Sequence, residues 1–393
     1  MKVGNLIKSA IIGASALALV GTAQAATINI NIYGASAQYK FWNDAADDFL
    51  LSKGAANIAQ ATDGKNGITK GEIGGDTIYI RYSAKASYDG IRAMQGTDPE
   101  NENTCPSDYE RMMADESQTD FGTGVVSGLG CYDVTIGASD VAATTFAQSS
   151  EGKKYGDLPV SPNPVVTYTM DSATIYDDGL VDYRPIVVPF GFFVNTANSL
   201  ENMTRPMAVN LFSGKVTNWN QFCNGDTLPV KVCLRHAGSG THATLDAAIM
   251  RGDATLLRKE NASPFLGAVR YFYKGSSDII NGINNTAGAV GYADCDKIVG
   301  KEATWPNVKL ISYQGVECSK CNITSCVYPF WSAQWLYEDP NEPNYSVTHP
   351  WVVDLADFAS IAANVPAAKQ PYWPTQTEMG SCVKENDFTL PHF

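Results

Sequence analysis

Apolar positions along the chain fall into short runs whose period switches between two and about 3.6, the signatures of strand and helix. Thr27 to Tyr33 alternates isoleucine with asparagine and predicts a strand. After Gly34-Ala35-Ser36-Ala37, residues Phe41, Trp42, Ala45, Ala46, Phe49 and Leu50 keep helical spacing, and Gly54 is a suitable stop. Asp76 to Tyr82 predicts the next strand. Ser83-Ala84-Lys85-Ala86-Ser87 then leads into a short helix from about Tyr88 to Met94. Tyr132 to Ile136 predicts a strand that ends at Gly137-Ala138-Ser139-Asp140. Pro185 to Val194 is a long apolar run and predicts a buried strand. Thr204-Arg205-Pro206 starts a helix that Gly214 stops, with proline in the first turn and glycine past the end. Leu228 to Leu234 predicts a strand, Ala243 to Met250 a helix, Asp278 to Ile283 a helix and Gly288 to Tyr292 a compact strand. A helix near Val352 to Ala363 closes the series.

Two stretches break the pattern. Residues 96–130 and 149–165 are polar with little periodicity, and the first predicts a long surface excursion clipped by Cys105 and Cys131. The tail aromatics Tyr328, Phe330, Trp331, Trp335 and Tyr337 are expected in a core rather than on a ligand platform.

The same grammar recurs: strand, small-residue turn, helix start. It is richest at Arg235-His236-Ala237-Gly238-Ser239-Gly240-Thr241. The first N–H groups of a helix have no internal partner, and the helix dipole leaves partial positive charge there. Gly238 and Gly240 let the backbone fold its N–H groups into a nest. Ser239 and Thr241 add hydroxyls, and Arg235 adds a planar fork of charged donors. All of this suits a tetrahedral oxyanion. A tight turn with an N-cap threonine is the plain alternative. Ser36 and Asp140 likewise read as ordinary N-caps when taken alone.

Composition narrows the function. A chain of 393 residues with 44% apolar and 18% charged residues is globular and long enough for two domains. The net charge of −13 argues against nucleic acid and anionic membranes as partners. A buried pocket can still hold an anion, because distant charge is screened beyond roughly 8–10 Å in physiological salt. Residues 1–25 have the form of a signal peptide: Lys2 and Lys8, an apolar stretch from Ala10 to Val20, and Ala23-Gln24-Ala25 as the cleavage site. Cleavage near Ala25 predicts a periplasmic or secreted protein. No later run reaches about 18 apolar residues, so no membrane span is expected in the mature chain.

Nine cysteines fit an oxidising compartment. Sequence proximity suggests Cys105–Cys131 and Cys223–Cys233, and the odd count leaves one over. Cys318, Cys321 and Cys326 have metal-like spacing, but disulfides are favoured in this compartment. Asn322 stands where a c-type haem motif needs histidine. The four histidines have no metal-binding spacing, so neither a metal nor a cofactor is expected. There is no Gly-x-Ser-x-Gly and no Walker pattern. An enzyme is therefore not expected and no catalytic residue is assigned. A secreted phosphatase using Ser239 beside His236 is the rival reading.

Taken together the motifs resemble the phosphate-binding proteins of ABC importers, within the periplasmic binding protein superfamily. The residues that carry the resemblance are Gly34-Ala35-Ser36-Ala37, Ser87 with Gly90-Ile91, Gly137-Ala138-Ser139-Asp140, Phe212 to Asn220, Arg235 with Gly238-Ser239-Gly240-Thr241, and Gly288 to Tyr292. The resemblance implies an α/β fold of two lobes, periplasmic binding protein type II, with the ligand cleft between them. It implies a first lobe at 26–187 with an insertion at about 96–130, a second lobe at 188–326, and a return to the first lobe at 327–393. It implies that Ser87, Ser239 and Thr241 donate hydroxyls. The N–H groups of Gly240 and Thr241, and those near Ala37, Gln38 and Tyr39, would bind anion oxygens. Arg235 would supply the charge, and Asp140 would accept the proton of hydrogen phosphate. A buried carboxylate facing sulfate would oppose two acceptors, at a cost on the order of 2–3 kcal/mol. The partners implied are inorganic phosphate or a related oxyanion and an ABC-transporter permease, with the binding protein a monomer. Two departures stand out. Gln38-Tyr39 replaces the family's threonine and phenylalanine, and Ala237 replaces an aspartate beside the arginine, where His236 or His242 could substitute as donors. These departures leave a secreted or surface protein of the same fold, with lost or altered ligand binding, as the alternative.

Overall fold

A computed structural model describes residues 25–97, 103–149, 151–153, 167–169, 179–223, 226–235, 238–250, 269–273 and 275–393. The targeting segment before Ala25, the pair His236-Ala237 and most of 149–165 lie outside these residues. Two β-sheets organise the chain into two lobes. The first has nine strands, in the order Val181–Tyr183, Trp335–Glu338, Ile136–Ser139, Thr27–Ala35, Asp76–Lys85, Asn66–Ile73, Ala56–Thr62, Val125–Val126 and Thr119–Asp120. The second runs Asn202–Met203, Val308–Tyr313, Val187–Asn195, Ala289–Asp294, Lys231–Arg235 and Val269–Tyr273, with Trp331–Ala333 also paired to Val187–Asn195.

At the centre of the first sheet, Thr27–Ala35 lies parallel to both Asp76–Lys85 and Ile136–Ser139. The alternation there does what period two requires. Ile28, Ile30 and Ile32 are buried with Ile78 and Ile80. They share a core with Phe41, Trp42, Ala45, Ala46, Phe49 and Leu50 of the helix Tyr39–Ser52. In the second sheet, Lys231–Arg235 is parallel to both Val269–Tyr273 and Ala289–Asp294. Val187–Asn195 is buried at every position, as its unbroken apolar run predicts for a strand covered on both faces.

The chain passes between the sheets at 183–187 and again at 333–335. The crossings are tied together, because Gln334 N–H donates to Ile186 C=O at 2.7 Å. A third segment runs beside them. Val187 N–H donates to Pro374 C=O at 3.0 Å, and Gln376 N–H donates to Pro185 C=O at 2.9 Å. Asp387 then accepts from Ala142 N–H and Thr145 Oγ1 in the first lobe, and from Ser332 Oγ beside the crossing.

Several expectations need correction. The strand expected at 132–136 is two strands: Leu129–Asp133 pairs with Glu110–Ala114 in a separate hairpin, and Ile136–Ser139 enters the main sheet. Small residues carry that sheet strand, so its apolar signal is weak. The described part of 96–130 is not irregular. It forms that hairpin, closed by Cys105–Cys131, and adds two short strands to the sheet edge. The helix expected at 243–250 is helical from Gly240 to Thr244 and widens to a π-helix over Leu245–Met250. The helix expected near 352–363 runs Tyr345–Ala359, and a short helix at Gln376–Met379 follows it.

Cys105–Cys131 forms as expected, together with Cys295–Cys318 and Cys326–Cys382. Cys223–Cys233 does not form. Cys233 lies mid-strand between Val232 and Leu234, all three buried, whereas Cys223 ends an exposed turn. A strand buried on both faces gives Cys233 no path to a surface thiol. Among the tail aromatics Tyr328, Phe330, Trp331 and Tyr337 are buried, as a core role requires.

Candidate functional site

Carboxyl ends of parallel strands are where open α/β sheets collect ligands, and here both sheets aim theirs at one place. Thr27–Ala35 delivers Ser36, Asp76–Lys85 delivers Ser87, and Ile136–Ser139 delivers Asp140. From the second sheet come Arg235, the turn to Ser239-Gly240-Thr241, and Ser276 after Val269–Tyr273. The lobes touch through backbone: Tyr88 N–H donates to Gly238 C=O at 3.0 Å. Gly238 has φ +84°, a conformation that favours glycine. Gly240 comes so close to the first lobe that a Cβ there would sit 2.2 Å from Ser87 Oγ and 2.8 Å from Asp140 Cβ.

Arg235 is the hub. Its side chain is buried, with Nη1 donating to Ser276 Oγ at 2.9 Å and Nη2 to Ser36 Oγ at 3.2 Å. One guanidinium thus reaches a hydroxyl in each lobe. Its backbone N–H donates to Tyr292 Oη at 2.9 Å, and Tyr292 Oη lies 2.6 Å from His242 Nδ1. Burial, then the Arg235 charge, pulls the imidazole down to about 3, so His242 is neutral at physiological pH and shares one hydrogen bond with Tyr292. His242 supports the strand end behind Arg235 through this contact.

Asp140 faces Arg235 from the first lobe and is equally buried. Its N–H donates to Ser87 Oγ at 3.0 Å. Its carboxylate accepts from Gln38 Nε2 at 3.2 Å and from Thr241 Oγ1, across the lobes, at 3.4 Å. Burial pushes the carboxyl from 3.8 up to about 7, against the opposing pull of Gln38 and the Arg235 charge. Gln38 is fully engaged. Nε2 also donates to Ser139 C=O at 2.7 Å, and Oε1 accepts from Trp42 Nε1 at 3.2 Å. The longer amide therefore braces Asp140 instead of pointing freely into the cleft.

The structure thus gathers Gln38, Ser87, Asp140, Arg235, Gly240 and Thr241. Ala37 is buried in the turn before the first helix. Ser239 caps its own helix, with Oγ accepting from His242 N–H at 3.3 Å. The Tyr39 side chain turns away to Thr62 Oγ1 and packs edge-on against Tyr82. Ser36, Ser276 and Tyr292 join the site, although the sequence reading gave none of them a ligand-binding role. Ser36 and Ser276 carry the same signal as the rest, a hydroxyl between strand end and helix start. His236 and Ala237 lie outside the described residues. From Ser36, Ala37, Ala86 and Ser276 a cavity of about 430 Å³ opens outward between the lobes.

Among the described residues one grouping of potential metal donors occurs, Cys105, Glu110 and Cys131, and both sulfurs are committed to a disulfide. No helix among these residues is long and apolar enough to cross a membrane.

Residues 177–360 match the PBP superfamily domain. Over 212 residues, 54% of this chain, it is 24% identical to the phosphate-binding protein PstS of Bacillus subtilis (strain 168). The matched stretch spans 57% of that relative, little more than half its length. Two solved structures share the fold. One, from Clostridium perfringens, is assigned as a phosphate ABC transporter substrate-binding protein and holds bound phosphate. The match has a TM-score of 0.50 at 15% identity and covers 86% of this chain and 98% of that one. The other is a human phosphate binding apolipoprotein, with a TM-score of 0.51 at 14% identity, covering 92% of this chain and 96% of that one. These relatives are named as phosphate-binding proteins, and at such identities the structural likeness is one of fold.

Proposed function

We propose that the chain is an extracytoplasmic binding protein that closes its two lobes on hydrogen phosphate. The observation that carries this reading is the buried pair across the lobe contact, the Arg235 guanidinium on one side and the Asp140 carboxyl on the other. Arg235 supplies the charge an oxyanion needs, in a fork that its serine partners hold in place. Ser87, Thr241 and the N–H groups that start the helix at Gly240 surround the same point. Asp140 supplies an acceptor, which a ligand bearing a proton satisfies and a fully ionised sulfate does not. Ser36 and Ser276 join Ala37, Gln38, Tyr39, Ser239 and Gly240 in the proposed binding set, Gln38 as the brace of Asp140 and Tyr39 through its backbone.

The lobes follow the sheets, so we place the hinge at the crossings 183–187 and 333–335. In this reading residues 1–25 direct export, the mature chain is a periplasmic or secreted monomer, and an ABC permease receives the anion. No bond is made or broken. Calorimetric titration of the mature, phosphate-stripped protein with phosphate, arsenate and sulfate tests this. Phosphate binding at micromolar Kd or tighter, about −8 kcal/mol, with sulfate rejected, is the expected result. Binding of sulfate in place of phosphate, or of no anion, would overturn it.

A further inference from the structure

The cavity that begins at Ser36 and Ser276 is much larger than one tetrahedral anion needs. Its lining is rich in lysine: Lys40, Lys65 and Lys85 from the first lobe, Lys297 and Lys301 from the second, and Lys369 from the tail. That is a dense group in an acidic chain with 28 basic residues against 41 acidic ones. Five aspartates share the lining, and each has a partner, Asn43 in the case of Asp44. Asp89 accepts from Ala86 N–H at 3.2 Å and Asp278 from Gly275 N–H at 2.9 Å. Asp296 accepts from Lys369 Nζ at 2.8 Å and Trp373 Nε1 at 2.6 Å, and Asp294 lies 3.8 Å from Lys297 Nζ. The fifth, Asp44, is raised by partial burial against the pull of Lys40 and Lys369. Lys40, Lys65, Lys85 and Lys301 form no ion pair among the described residues.

We propose that this cleft holds a condensed phosphate, with its terminal group in the Arg235–Asp140 site and the following groups between Lys40 and Lys85 on one lip and Lys301 on the other. The proposal rests on the phosphate reading given above and names a longer ligand for the same site. Like charges on opposing lips resist closure, and a polyanion between them removes that resistance. Consistent with such crowding, partial burial and the charges of Lys297 and Lys40 draw the Lys301 ammonium below its ordinary value. An ester with a flat organic group fits less well. Tyr39 is the one aromatic residue in the described lining, and its hydroxyl is held by Thr62.

The test is calorimetric titration of the mature chain with phosphate, pyrophosphate and tripolyphosphate at low salt, for the native protein and for the double variant Lys40→Gln/Lys301→Gln. Tripolyphosphate is expected to bind about tenfold tighter than phosphate or better, the yield of one added charge-assisted contact. That ratio should fall toward one in the variant. A native ratio of one or less, or a ratio the variant leaves unmoved, overturns the proposal. If phosphate alone fails to bind while tripolyphosphate binds through the lysines, the lysine site stands and the phosphate site falls. If neither binds, both fall.

Discussion

Replacing Asp140 by Asn tests the electrostatics of the site directly. Asp140 is buried, and its carboxyl titrates at about 7 instead of 3.8. An acid whose pKa rises on folding binds its proton more tightly in the folded state. Stability is then full below the unfolded pKa, near 4, and falls as pH climbs toward 7. At about 1.4 kcal/mol per pH unit, the whole loss is about 4 kcal/mol. Asn is close in shape to the neutral acid. Its Oδ1 can accept from Gln38 and its amide can donate to Thr241, so it keeps the contacts without the charge. Urea unfolding of ligand-free protein, native against Asp140→Asn, should give similar stabilities near pH 4. The variant should gain steadily between pH 4 and 7 and level off above about pH 8, with an advantage approaching 4 kcal/mol. The difference between the two proteins isolates Asp140 from every other titrating group. A gap that stays constant across this range, or native protein becoming the more stable partner as pH rises, would refute the reasoning. In the same variant sulfate affinity should increase on the order of 10²-fold, because the opposed acceptor becomes a donor.

Other expectations are open to simple measurements. Gly240→Ala places a methyl 2.2 Å from Ser87 Oγ. It should hold the lobes apart and lower anion affinity by roughly tenfold or more for each 1.4 kcal/mol of clash, with small-angle scattering showing a larger radius of gyration when ligand is present. Removing Cys326–Cys382, which closes 56 residues, should cost about 4 kcal/mol by loop entropy; a melting temperature equal to that of the parent would contradict this. Alkylation of the native, oxidised protein should label Cys223 and Cys321 but leave Cys233 unmodified until denaturation, since burial pushes its thiol up to about 12. Mass spectrometry of peptides reads out all three.

The strong periodic segments were legible in sequence because one physical cause decides them. Phe41, Trp42, Ala45 and Phe49 face one core, so helical spacing is visible in the residues themselves. Pro185 to Val194 was legible for the opposite reason, since a strand covered on both faces needs no polar alternation. Ile136–Ser139 was not legible, because a strand packed against a helix at Gly90 needs small residues, and those carry little propensity. Asp140 and Arg235 could be singled out through the family's motifs, but the brace provided by Gln38 could not. Its role depends on Trp42 one turn along and Ser139 across the sheet. Cys223–Cys233 shows the limit of reasoning from proximity, since ten residues of separation say nothing about which side of a sheet a thiol occupies.

The double crossing of the chain has a consequence for how the molecule is assembled. Trp335–Glu338 pairs with Ile136–Ser139 in the first sheet, yet the whole second sheet up to Ala333 lies between them in sequence. Closing that pair from an unfolded chain would bear the entropy of a very long loop, which a second lobe already folded replaces with a short rigid bridge. The inserted lobe therefore acts as a template for its host. Refolding chains should acquire protease resistance first in the segment from Val187 to Ala333, and truncations just before Trp335 should leave that segment folded beside an unfinished partner.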